Sequence, residues 1–211
     1  MAGVHDLALF VLSGLLLNLT PGADTLYIVG RSMGQGMRAG ATAALGIGAG
    51  CCVHTLAAAI GVSAVLMASA TAFTIIKLAG AAYLVYIGVA MLRSGAVTEV
   101  PAAAARRHDP LRRVFVQGLL TNVLNPKVAL FFIAFLPQFV DASAPGHFMP
   151  LMFLGAVFNF NATLWNLFTA WLASRAGAAL DKRRRAMAWV SRVTGSLMVL
   201  LGLRLAFLSR E

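Results

Sequence analysis

The sequence predicts an all-α, polytopic membrane protein: six transmembrane helices forming two inverted three-helix repeats, with helices 1 and 4 broken. Three observations predict it. Of the 211 residues, 60% are hydrophobic and 11% are charged, less than half the ~25% charge of a typical soluble domain. The few charges gather between long apolar runs, and mean hydropathy is +0.83. One proline-ended string also recurs half a chain later.

Crossing ~30 Å of hydrocarbon takes about 20 mainly apolar residues. Six runs qualify, at about 5–30, 39–68, 72–93, 114–140, 148–174 and 187–208. The first lacks the cationic start of a cleaved signal and runs too long for one, so it reads as a retained span. Ser69-Ala70-Thr71 separates spans 2 and 3, which predicts a tight helical hairpin. Residues 94–113 form the one real linker, containing Pro101 and Pro110. The units are therefore 1–93, a first repeat, 94–113, a cytoplasmic linker, and 114–211, a second repeat.

Basic residues give the orientation. Arg31 and Arg38 follow span 1, Arg93, Arg106, Arg107, Arg112 and Arg113 follow span 3, and Arg175 with the 182–185 run KRRR follows span 5. Lysine and arginine mark cytoplasmic loops, so both termini are expected outside. A re-entrant or surface-lying span 6 is the alternative, with the C-terminus inside.

The repeat is GLLLNLTP at 14–21 against GLLTNVLNP at 118–126. Three spans per half is an odd number, so the second copy must run inverted. Inverted repeats with matching interrupted helices point to a transporter site. Pro21-Gly22 and Asn125-Pro126 should break spans 1 and 4, because proline removes a helical hydrogen bond and clashes with the preceding turn. At ~1.5 Å per residue, Pro21 lies roughly 24 Å from the outer end of its span and Pro126 roughly 20 Å from the inner end of its own. The freed backbone groups need protein or a water-filled cavity around them.

Each break has an ionisable neighbour, Asp24 and Lys127. An intramembrane charge costs about 2.5–3.5 kcal/mol on insertion scales and marks a functional site by default. The two charges are opposite in sign and sit in the two repeat copies, so a direct or water-mediated pair is expected. With Asn18, Asn122 and Asn125 they suit a zwitterion, which carries one carboxylate and one ammonium; a structural ion pair joining the halves is the plainer alternative. His54, mid-span 2, is of the side-chain type that suits a proton relay, or else packs with a single hydrogen bond. Asn159, Asn161 and Asn166 either line a path or bond neighbouring helices.

Other classes fit less well. A net charge of +10 raises nucleic acid, but the arginines flank apolar runs rather than forming a binding stripe. Cys51 and Cys52 are adjacent and lack metal-site or redox spacing. Gly46, Gly48 and Gly50 follow no strand, which excludes a dinucleotide loop; Gly46 and Gly50 instead make a GxxxG surface for close helix contact. No nucleophile elbow or catalytic constellation is present, so no enzyme activity, metal or cofactor is expected.

Several strings together resemble the lysine-exporter superfamily, in particular its homoserine/threonine-resistance (LysE/RhtB) branch. They are NLTPGAD at 18–24, SMGQGMRAG at 32–40, ALGIGAG at 44–50, KLAGAAYLVYIG at 77–88, NVLNPK at 122–127 and FFIAFLPQ at 131–138. The resemblance implies a small bacterial inner-membrane exporter of amino acids, working by proton antiport. Its proline breaks and nearby Asp and Lys map onto Pro21, Asp24, Pro126 and Lys127. Two departures stand out. Ala23 occupies a position where the family often has a second proline, which implies a milder first break. Cys51 occupies one where an acidic residue is common.

The expected function is secondary-active export of neutral amino acids (homoserine, threonine or leucine-like); the alternative is a related carrier for a metal or other small ion. The expected substrate site is Asn18, Pro21, Gly22, Asp24, Asn122, Asn125, Pro126 and Lys127, with His54 and Asp24 as candidates for proton coupling. Expected partners are the amino-acid substrate and the lipid bilayer, not nucleic acid, with a homo-oligomer left open.

Overall fold

The structure, a computed structural model, describes residues 3–68, 109–141, 144 and 146–175, with isolated helical positions between 71 and 89 and between 196 and 203. The 69–71 hairpin, spans 3 and 6, residues 94–108 of the linker, Lys77 and the 182–185 run lie wholly or mostly outside the described residues.

Proline and its neighbours decide where the helices stop. Helix α1 (Leu7–Leu19) ends where Pro21 has no N–H to continue the ladder. The Thr20 N–H is shared between the Leu16 and Leu17 carbonyls at 3.2 Å each, and its hydroxyl donates to Leu16 O at 2.9 Å. Gly22 is extended, and α2 (Ala23–Gln35) starts at a new angle. Helix α4 (Leu111–Val123) follows Pro110. After a two-residue break, α5 (Pro126–Leu130) begins with proline in its first turn, and its N-cap Asn125 accepts the Lys127 N–H at 3.1 Å. Asparagine at the cap followed by proline is a helix-start pattern. A π turn (Phe131–Phe135) and a 3-10 turn (Leu136–Phe139) continue α5.

The bends are 54° between α1 and α2 and 49° across the second break. Extended Gly22 after Pro21 is enough to redirect the chain.

The remaining elements are two long helices, α3 (Met37–Ala68) and α6 (Phe148–Arg175). Both are apolar around their circumference. Ile60 on α3 and Phe160 on α6 are 63% and 66% exposed, as suits helices with lipid on one side and protein on the other. Counting each bent pair as one span, up to four helices among the described residues are long and apolar enough to cross a bilayer. The chain is an all-helical, multi-pass membrane protein.

Two boundaries differ from the sequence reading. Span 1 continues to Gln35, so Arg31 lies inside a helix and is 5% exposed. Arg112 and Arg113 belong to the first turn of α4 and not to the linker.

The bent pairs run antiparallel. At one end Val4 bridges Val140, and the His5 N–H donates to Phe139 O at 3.1 Å. At the other, Arg31 meets Asp109 just ahead of α4. All five described arginines (Arg31, Arg38, Arg112, Arg113 and Arg175) belong to that second end, where Ile28, Val114 and Ala170 pack together. The opposite end carries Asp6 and Asp141 instead.

Glycine brings α3 against α4. A Cβ at Gly46 would collide with the Phe115 carbonyl, and one at Gly50 would lie 2.9 Å from the Leu119 carbonyl oxygen. The small-residue surface of α3 therefore lets two backbones approach closely.

Candidate functional site

The core divides into two apolar clusters. Toward the Val4–Val140 end, Phe10, Phe131, Phe132, Phe135, Phe139 and Phe158 dominate a large aromatic cluster. Toward the arginine end lies a smaller one: Ile28, Ala43, Ala44, Ile47, Val114 and Ala170. Leu17 and Cys51 of the first cluster and Ile47 of the second line a polar cavity, together with Asn18, Asp24, Asn122 and Lys127. Thr25, Gly48, Val128 and the α6 residues Phe158, Asn159, Ala162 and Asn166 complete the wall. At about 20 Å³ the cavity has room for roughly one water molecule.

The helix breaks supply its polar groups. Where α1 stops, the Leu17 carbonyl has only a share of the Thr20 N–H, because Pro21 offers no donor. Lys127 fills the gap, its Nζ donating to Leu17 O at 3.2 Å and Thr20 O at 3.1 Å. Gly22 makes room for that ammonium, since a Cβ there would sit 3.3 Å from Nζ. At the second break, the Asn122 carbonyl is contacted by His54 Nε2 at 3.0 Å. His54 also stacks on Phe132, ring centroids 5.9 Å apart. Each break is thus tied by a nitrogen-bearing side chain from another element.

Asp24 sits in the first turn of α2, where the helix dipole favours negative charge. Its Oδ2 accepts Asn122 Nδ2 at 2.8 Å. Of the two forms expected, a direct or a water-mediated Asp24–Lys127 pair, the direct one is absent: neither residue belongs to the ion pairs found among the described residues. Carbonyls at the α1 terminus hold the ammonium instead, although both residues line the same cavity. Four buried polar atoms here have no partner: Asn18 Nδ2, Asp24 Oδ1, Asn122 Oδ1 and Asn125 Nδ2. Two are donors and two are acceptors. Unsatisfied buried polar groups cost about 1–3 kcal/mol each, so each of these atoms has hydrogen-bonding capacity to spare.

Of the expected site residues, Asn18, Asp24, Asn122 and Lys127 converge on the cavity. Pro21, Gly22, Asn125 and Pro126 shape it through the breaks and do not line it. His54 reaches it only through Asn122. Asn159 and Asn166 line the wall, and Asn161 does not. The Asn159 amide donates to Gly48 O at 3.2 Å. Cys51 on the wall was legible only as a departure from a family pattern, whereas Phe158 carried no sequence signal separating it from ordinary core aromatics.

Comparisons with known proteins give the family. Residues 15–209 match the family described as LysE type translocator. An uncharacterized membrane protein of Pseudomonas aeruginosa is 34% identical over 97% of this chain and 96% of its own. An uncharacterized membrane protein of Bacillus subtilis is 28% identical over 95% and 98%. A leucine efflux protein of Salmonella typhimurium is 31% identical over 68% of this chain and 67% of its own. No solved structure matches. With nearly the whole chain matched by one family and the polar residues gathered at two broken spans, this protein belongs to the LysE-type translocators.

Proposed function

We propose that this translocator exports neutral amino acids of the homoserine, threonine or leucine kind across the bacterial inner membrane, as a secondary carrier coupled to proton antiport. The observation that carries the reading is the set of unpaired donors and acceptors at the two helix breaks. An α-ammonium suits the free oxygens of Asp24 and Asn122, and an α-carboxylate suits the Asn18 amide beside Lys127. Ile47, Val128, Phe158 and Ala162 offer an apolar wall to an uncharged side chain. With Cys51 in place of a carboxylate, nothing on that wall favours a cationic side chain. The leucine efflux relatives support the same class.

Counterflow in proteoliposomes with a panel of labelled amino acids tests this. Leucine, threonine or homoserine should exchange, and lysine should not. Exchange of lysine alone, or of no amino acid, would sink the reading. His54 is the candidate relay, because its ring nitrogen touches the carbonyl of the residue that holds Asp24. His54→Gln should flatten the pH dependence of uphill export while leaving counterflow intact; an unchanged pH profile clears His54 of the role.

The proposed arrangement is two inverted repeats with both termini outside. The antiparallel bent pairs and the gathering of described arginines at one end support it. Single-cysteine labelling in whole cells, in a background lacking Cys51 and Cys52, should reach position 143 and spare position 102. The reverse pattern would overturn the orientation.

A further inference from the structure

We propose that the buried cluster around Arg31 is a gate: a polar latch that closes the arginine-bearing end of the cavity and must open for substrate to enter. The proposal rests on the carrier reading and concerns a second site. Arg31 Nη2 donates to Asp109 Oδ2 at 2.7 Å and to Gln117 Oε1 at 2.6 Å, and Nη1 donates to Gln35 Oε1 at 3.0 Å. Gln35 Nε2 closes the ring on Asp109 O at 3.0 Å. The Arg31 and Asp109 side chains are only 7% and 11% exposed.

Three features distinguish a gate from a fixed pin. First, the cluster joins α2 to the start of α4, so it holds together the two bent pairs whose breaks form the cavity. Second, it lies in line with the cavity. Asp24, Tyr27 and Arg31 are spaced i, i+3, i+7 along one face of α2. Tyr27 joins the two levels, its hydroxyl donating to Val114 O at 2.8 Å, and the Arg31 guanidinium lies 5.4 Å from its ring centre. The apolar cluster of Ile28, Ala43, Ala44, Ile47, Val114 and Ala170 packs against Tyr27, between those two levels of α2.

Third, the chemistry suits repeated opening. A buried ion pair adds little stability over an apolar contact of the same shape, so stability alone does not explain it. When the helix ends part, water replaces the lost hydrogen bonds of charged groups, whereas a wetted apolar seal forfeits its burial outright. Arg31 Nε is already buried without a partner, a donor ready for incoming water.

Cys51 is a built-in reporter, since it lines the cavity and is unpaired and buried. In a Cys52→Ala background, a membrane-impermeant maleimide is applied to inside-out and right-side-out vesicles. Asp109→Asn should raise Cys51 modification at least tenfold from the arginine-bearing face only. The charge-swapped Arg31→Asp/Asp109→Arg variant should bring the rate back down. Gln117→Ala keeps both charges and should give a smaller rise on the same face, which keeps the test decisive if Asp109→Asn does not fold. An unchanged rate in the folded variants overturns the gate. An equal rise from both faces also overturns it, because the substitution has then merely loosened the bundle. The readout needs no substrate, so failed amino-acid counterflow alongside one-sided Cys51 exposure would sink the proposed function and leave the gate standing.

Discussion

Asp24→Asn and Lys127→Ala are each expected to abolish export, but only the second should also lower the amount of folded protein. Asp24 holds Asn122 through one oxygen and leaves the other free. The asparagine replacement keeps shape and most hydrogen bonding while removing the charge offered to an ammonium. Losing a buried, hydrogen-bonded charge partner costs about 3 kcal/mol of binding, roughly a hundredfold in affinity. Lys127 has a structural tie as well, because its ammonium donates to two carbonyls where α1 ends. Removing it leaves the Thr20 carbonyl buried without a donor, at about 1–3 kcal/mol, and leaves the Leu17 carbonyl only its share of the Thr20 N–H. Counterflow together with melting of the purified variants measures both effects. The double variant should stay inactive and as unstable as Lys127→Ala alone. Recovery of stability in the double variant would show that Lys127 answers Asp24 after all, and not the broken helix. Wild-type export by Asp24→Asn would place the ammonium site elsewhere.

Gly46→Val should be the most damaging of the apolar substitutions. Its Cβ would land on the Phe115 backbone carbonyl, and α4 has no side chain there that can swing aside. Overpacking a core costs typically 1–3 kcal/mol when side chains can adjust, and here whole helices must separate. Little folded protein should be recovered from membranes. Gly61→Ala is the control: nothing lies within 4 Å of its Cβ position, and alanine improves a helix interior by about 1 kcal/mol. Equal yields of the two variants would mean that α3 and α4 do not meet along this glycine face.

The breaks were readable in advance because proline acts locally. Pro21 and Pro126 interrupt a helix whatever surrounds them, so both bends sit where the sequence puts them. Convergence of Asn18, Asp24, Asn122 and Lys127 was readable because lipid excludes polar side chains that lack a shared interior. Their pairing was not. A chain of letters shows two opposite charges and suggests a direct or water-mediated pair, but it does not show that α1 ends on carbonyls within reach of Lys127. Arg31 was read as a loop residue because arginine after an apolar run usually is one. Only the partners that burial brings to it, Asp109 and Gln117, lie 78 and 86 residues away. Asn125 was expected to face a ligand, yet its carbonyl oxygen caps α5, the ordinary work of an Asn-Pro helix start.

The small size of the cavity has a consequence for measured affinities. About 20 Å³ admits a water molecule and no amino acid, so this conformation is one that substrate does not occupy. Ligand binds only the fraction of molecules that have widened, and the apparent dissociation constant is the intrinsic one divided by that fraction. If widening costs roughly 2.8 kcal/mol, about one molecule in a hundred is competent, and apparent binding weakens about a hundredfold. Substitutions that destabilise the narrow state should therefore tighten equilibrium binding while making transport leakier. Ranking variants by affinity alone would then favour the poorer exporters.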